Sequence, residues 1–214
     1  QIPVNPKIGL TFASTLRAIL RQDPDVIMVG EIRDLETAQI AVRASLTGHL
    51  VLSTVHTNSA AATLTRLLDM GVEDYLLASS LKGILAQRLV RRLCGCAIPA
   101  HLSDTAISRL YALAYPKNAT DHLVHPTVRQ PQGCITCNGT GFAGRIAIYE
   151  FLCLDGATRD VLFAGGKERA IEEAAISGGM VTLMENGARR VLAGETTLEE
   201  VLRVTRIDDA PLSL

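Results

Sequence analysis

The sequence predicts an α/β fold: a parallel sheet flanked by helices, then a cysteine-bearing loop module, then a helical C-terminal region. Three observations predict it. Two apolar runs, VIMV from Val26 to Val29 and LVLSTV from Leu50 to Val55, are separated by an Ala-rich segment. Four of the five cysteines stand in two close pairs, Cys94 with Cys96 and Cys134 with Cys137. The last part carries two S/T-x-x-E signatures, Thr182 to Glu185 and Thr197 to Glu200, of the kind that opens a helix.

Taken in order, Phe12 to Arg21 reads as a helix and Val26 to Val29 as a short strand, fully buried because the run is unbroken. Leu35 to Leu46 is a second helix, and Leu50 to Val55 a second strand. A third helix runs from about Ser59 to Asp69 and stops at Gly71. Strand and helix in alternation imply parallel pairing. A long helix is expected next, with Leu81, Ile84, Leu85 and Leu89 on one face and Gln87, Arg88, Arg91 and Arg92 near its end. From Cys94 to Thr140 the text is loop-rich, with Pro99, Pro116, Pro126 and Pro131, and one helix between Ser103 and Tyr115. Arg145 to Leu152 reads as a strand, and the remainder as helical. The expected domains are 1–92, 93–144 and 145–214.

At 214 residues, with 48% hydrophobic and 20% charged content, this is the composition of an ordinary globular protein. A formal net charge of -1 gives no electrostatic footprint for nucleic acid. No apolar run reaches the roughly 18 residues of a membrane span, and no secretory signal is present. There is no internal repeat. The chain opens QIPVNP, already mid-domain, and is expected to be the C-terminal portion of something longer.

The stretch DPDVIMVGEIRD poses the functional question, because a core strand ends on Glu31, Arg33 and Asp34. In open α/β sheets ligands bind beyond the carboxyl ends of the strands. The neighbouring strand ends on Ser53, Thr54 and His56, so two strands deliver a carboxylate, hydroxyls and an imidazole to one edge. Phosphoryl transfer to water needs a group that orients the water and polar contacts that sense the γ-phosphate. The competing reading has Glu31 capping the next helix and pairing with Arg33, and His56 as a surface histidine.

DPDVIMVGEIRD followed by GHLVLSTVHTNSA resembles the Walker B segment and histidine box of the secretion-system traffic ATPases, the motors of type II secretion and type IV pilus assembly. The likeness runs from about Lys7 to Thr205 and includes LRAILRQDPD, LAQRLVRRLC and GETTLEEVLRVT. It implies a RecA-like P-loop NTPase core, of which only the later strands are here. It also implies that Glu31 polarises the attacking water and helps hold Mg²⁺, and that His56 stands near the γ-phosphate of ATP. Arg17, Arg21, Arg33 and Thr54 would lie at the nucleotide or subunit interface, although Arg17 and Arg21 also read as solvated helix arginines. A homohexamer, peripheral to the cytoplasmic side of the inner membrane and in contact with membrane platform proteins, is the implied assembly. The segment TRLLDMGVEDYLLASSLKGILAQRLVRRLC is closer to type II secretion than to pilus assembly. No G-x-x-x-x-G-K-[ST] loop occurs in the chain, so the phosphate cradle is expected to lie upstream and this chain alone to be inactive.

Cys134-Ile-Thr-Cys137 is a C-x-x-C knuckle and Cys94-Gly-Cys96 a tighter C-x-C. Four thiolates suit a closed tetrahedral Zn²⁺ site that holds a loop-rich segment without a core. In the family the first pair is usually C-x-x-C, and His101, His122 and His125 are possible substitutes for a cysteine. Cys153, at the end of a strand, reads as a small core residue. CITCNGTG also resembles the zinc repeats of DnaJ-type chaperones, which leaves a polypeptide-binding module as the alternative class. A RecA-like DNA translocase is disfavoured by neutral charge and few aromatics.

Overall fold

Val26–Val29 (β1) and Leu50–Ser53 (β2) pair in parallel, Val26 opposite Leu50 and Val29 opposite Ser53. The structure, a computed structural model, describes residues 1–116 and 126–205. Ile27 and Val29 turn inward against Leu16 of Phe12–Leu20 (α1) and Ala41 and Ala44 of Leu35–Leu46 (α2). Strand side chains alternate, and the other face of this sheet, with Val26, Met28, Leu50 and Leu52, is exposed. The expectation of a fully buried strand is thus corrected. The unbroken apolar run suits a sheet covered on both faces, and here helices cover one.

The first three helices begin where hydroxyl or carboxylate side chains take the unpaired amides of a first turn. Thr11 caps α1 in a reciprocal box with Ser14, and Asp34 caps α2. Ser59 caps Ala60–Asp69 (α3). Gly71, at φ +96°, takes the left-handed turn after it. Asp74–Ser80 (α4) follows.

The long helix expected next is instead a strand, Gly83–Leu93 (β3). Its burial alternates, with Ile84, Ala86 and Val90 inside and Leu85 and Leu89 exposed. Its residues are good helix formers, but local propensity yields to pairing. β3 lies beside Phe142–Cys153 (β6) in a two-stranded sheet, a partner distant in sequence. Two very short strands, Ile98–Pro99 (β4) and Arg129–Gln130 (β5), pair antiparallel. Asp104–Ala114 (α5) is capped by Ser103.

The remaining helices are Gly156–Phe163 (α6), Glu168–Ser177 (α7), Leu183–Leu192 (α8) and Leu198–Thr205 (α9). At Thr182 the expected capping box is complete, with the Thr182 hydroxyl taking the Glu185 amide and the Glu185 carboxylate taking that of Thr182. At Thr197 it is half a box. The Thr197 hydroxyl takes the Glu200 amide at 3.4 Å, but the Glu200 carboxylate turns to Arg91 and Arg203. Cys153 is exposed rather than in the core, because the pleat that buries Leu152 sends its neighbour outward.

The chain forms two compact units, neither continuous in sequence. One comprises Gln1–Ile84 and Leu152–Met180; the other comprises Leu85–Phe151 and the described residues from Val181 onward. In the first, the core described above sits between β1–β2 and helices α1 and α2. In the second, Val90, Leu110, Ile148, Val191 and Val201 form the centre.

Candidate functional sites

Beyond the carboxyl end of β1 the chain turns at Gly30 and presents Glu31. Beyond β2 it runs through Thr54 to His56. The Thr54 hydroxyl donates to the Gly30 carbonyl at 2.6 Å, and the Thr54 carbonyl accepts the Ile32 amide at 3.0 Å. The two strand ends are thereby tied beyond their ladder. His56 Nε2 stands 3.5 Å from Glu31 Oε2, and Arg33 Nε approaches the same oxygen at 2.6 Å. The Glu31 side chain is 20% exposed while those of His56 and Arg33 are open to solvent. A carboxylate and an imidazole from adjacent strands therefore converge on one point.

Of the competing reading, the pairing of Glu31 with Arg33 and the exposed position of His56 are present, and the helix cap is not. Asp34 caps α2, its Oδ1 accepting the Thr37 amide at 2.8 Å and its Oδ2 the Thr37 hydroxyl at 3.1 Å. Arg17 reaches Glu36 of α2 at 2.7 Å, with both side chains exposed. Arg21 follows α1 as its C-cap residue and is exposed.

The second cluster is of sulfur. The Sγ atoms of Cys94, Cys96, Cys134 and Cys137 all lie within 4.8 Å of one another. Cys94–Cys134 and Cys96–Cys137 are 3.9 Å apart and Cys134–Cys137 3.7 Å. Four sulfurs at about 2.3 Å from one Zn²⁺ have tetrahedral edges of about 3.8 Å, so the spacing fits that ion. The shorter Cys94-Gly-Cys96 pair reaches this arrangement despite lacking a residue. His101 is exposed and outside the cluster; His122 and His125 lie outside the described residues.

Backbone amides aim at the cluster. Cys137 Sγ accepts the amides of Cys134 at 3.1 Å and Gly141 at 3.2 Å. Burial works against the Cys137 thiolate, yet these amides outweigh it and bring the thiol down to about 6. Cys134 is lowered as well, chiefly by the Cys137 amide. Burial, then the Cys134 sulfur, pushes Cys96 up to about 12. Four clustered thiols do not all ionise without a cation, and a bound cation would reverse that for Cys96.

The turn itself depends on glycine. Gly141 has φ +76°, and a Cβ there would run into Pro131. Its carbonyl accepts the Cys94 amide at 2.9 Å, so one residue links both cysteine pairs. The composition CNGTG carried this signal, but only the geometry says which glycine acts.

Residues 1–203 match the family described as Type II/IV secretion system protein. The chain belongs to the type II/IV secretion family. It is 51% identical over 207 residues to the type II secretion system protein HxcR of Pseudomonas aeruginosa, covering 96% of this chain and 39% of that protein. It is 48% identical over 206 residues to the type II secretion system ATPase E of Vibrio cholerae, again covering 96% and 39%. Among solved structures it resembles that of the pilus retraction motor PilT with bound ADP. That likeness has a TM-score of 0.61 at 29% identity and covers 92% of this chain and 44% of PilT. This secretion-family chain thus spans about two fifths of the length of the curated relatives it matches. The family match includes the CITCNGTG stretch, which sets the chaperone-like alternative aside. Among the described residues, no helix is long and apolar enough to cross a membrane.

Proposed function

We propose that this chain is the later part of an ATP-hydrolysing motor of type II secretion, in which hydrolysis drives pseudopilus assembly and protein export. Residues 1–92 would be the end of the ATPase core, 93–144 a zinc module and 145–214 a helical C-terminal domain. The observation that carries the reading is the convergence of Glu31 and His56 at the ends of adjacent parallel strands. Type IV pilus assembly is the nearest alternative, and the type II names of the relatives favour secretion.

In this reading Glu31 holds the attacking water in line and accepts its proton. His56 stands beside it, where it contacts the γ-phosphate. Arg33, exposed and already paired with Glu31, is placed to exchange that carboxylate for a phosphate oxygen or a neighbouring subunit. Arg17 and Arg21 are exposed for the same interface of a homohexamer. Mg²⁺, when bound, would neutralise charge developing on the phosphates. Cys94, Cys96, Cys134 and Cys137 would hold a Zn²⁺ whose role is structural. The location that follows is cytoplasmic, against inner-membrane platform proteins.

Steady-state ATP hydrolysis by the full-length protein, with the phosphate-binding loop restored, tests the assignment. Glu31→Gln keeps size and hydrogen-bonding reach but removes the charge. Losing a positioned base lowers rate by about 10² to 10⁴, while nucleotide binding survives. Turnover within about threefold of wild type would sink the assignment.

A further inference from the structure

We propose that Thr54 is a positioning residue for Glu31, a reading that rests on the catalytic role given to Glu31 above. Thr54 grips the chain on both sides of that carboxylate. Its hydroxyl donates to the carbonyl of Gly30, the residue before, at 2.6 Å. Its carbonyl accepts the amide of Ile32, the residue after, at 3.0 Å. The last pair of the parallel register is Val29 with Ser53, so Glu31 lies past the regular strand. The hydroxyl bond adds a side-chain anchor to the backbone one, at a glycine whose backbone is otherwise permissive.

Thr54 also stands two residues before His56. The residue that brackets Glu31 is thus also close in sequence to the imidazole that stands 3.5 Å from that carboxylate. A hydroxyl has one proton to donate, and here it goes to Gly30. Thr54 is exposed, so water competes for this bond and its loss should leave folding nearly unchanged. Its effect falls on geometry instead. Catalytic groups misplaced by about 1 Å lose on the order of 10²-fold in rate.

The test is ATP hydrolysis by the full-length hexamer carrying Thr54→Val, which keeps the shape and removes the hydroxyl. The expected result is a fall in kcat of about 10- to 100-fold with KM for ATP within about twofold, and recovery to within about threefold in Thr54→Ser. In a Glu31→Gln background, adding Thr54→Val should change the residual single-turnover rate by less than about twofold, because the hydroxyl acts through the carboxylate. A raised KM at unchanged kcat would assign Thr54 to nucleotide contact and overturn the proposal. So would an unchanged kcat, or a further tenfold loss in the Glu31→Gln background. If Glu31→Gln hydrolyses normally, the catalytic reading itself fails; if Glu31→Gln is dead and Thr54→Val normal, only the positioning role fails. Should Thr54→Val not assemble, Thr54→Ala, which adds no apolar bulk at this exposed position, carries the same expectations.

Discussion

Asp34 takes the Thr37 amide at 2.8 Å, and so relieves Glu31, three residues earlier, of any part in starting α2. Of the two acidic residues of one short loop, one therefore caps the helix and the other is left free of that task. Asp34→Ala should lower the unfolding free energy by about 1 kcal/mol, the usual value of an N-cap. Glu31→Gln should leave the denaturant midpoint nearly unchanged while stopping turnover in the full-length protein. Urea unfolding of both variants checks the separation. Equal destabilisation would return Glu31 to a structural role.

The sulfur cluster predicts one Zn²⁺ per chain. Elemental analysis of purified protein measures it directly, and a metal-free result rules the site out. Cys134→Ser or Cys137→Ser should lower the zinc content to well below one. Chelation should expose the 94–116 and 126–141 segments to protease while the β1–β2 sheet stays protected, because structural zinc supplies on the order of 10 kcal/mol to small sites.

Glu200 predicts an acid-sensitive second unit. Burial alone would raise this carboxyl, but hydrogen bonds from the Arg91 and Arg203 side chains and from the Arg91 amide hold it at about 2 against an ordinary 4.5. A depressed carboxylate stabilises the fold fully above its unfolded value and loses that contribution as pH falls toward the folded one. The window is therefore about 4.5 down to 2, and the contribution is on the order of 3 kcal/mol. Glu200→Gln should be destabilised at pH 7 and approach wild type near pH 2. Parallel stability curves for the two proteins would contradict the assignment.

Gly187 lies in α8 against Val201 of α9, and a Cβ at Gly187 would overlap the Val201 methyls. Helix propensity alone predicts that Gly187→Ala stabilises by about 1 kcal/mol. Overpacking of a filled core typically reverses this, by about 1–3 kcal/mol. Gly187→Ala should thus unfold at lower urea, and Val201→Ala introduced with it should recover part of the loss. Additive effects of the two changes would mean that the residues do not press on each other.

The 214-residue chain by itself should give no saturable heat with an ATP analogue in the micromolar range. In the proposed reading Glu31 would hold the water and His56 would stand near the γ-phosphate, but no G-x-x-x-x-G-K-[ST] loop occurs in this sequence to cradle the phosphates. A tight Mg²⁺-dependent titration would show that phosphate is held elsewhere in the chain.

Legibility followed the range of the forces involved. Glu31 and His56 could be read because each closes an apolar strand, and parallel pairing brings such ends to one edge. The cysteines could be read because their spacing is local. The strand Gly83–Leu93 could not, since Leu85, Gln87, Arg88 and Leu89 favour a helix and the opposing vote comes from β6, far along the chain. Glu200 is half legible for the same reason: α9 opens at Thr197 as its text predicts, but the carboxylate does not close the box. That carboxylate answers to Arg91, 109 residues away. Choosing Asp34 over Glu31 as the cap required the actual turn at Gly30.

Leu93 closes β3, Phe142 opens β6, and the four sulfurs gather beside that end, with Cys94 bonded to Gly141. Sliding one strand past the other by a single residue displaces the backbone by about 3.3 Å and turns every side chain to the opposite face. Neither change is compatible with sulfurs 3.7 to 3.9 Å apart. The cluster is thus a pin against slippage: with a metal in place, the alternating rows of the ribbon, Val90 and Ile148 inward and Leu89 and Tyr149 outward, have only one alignment in which the pin closes.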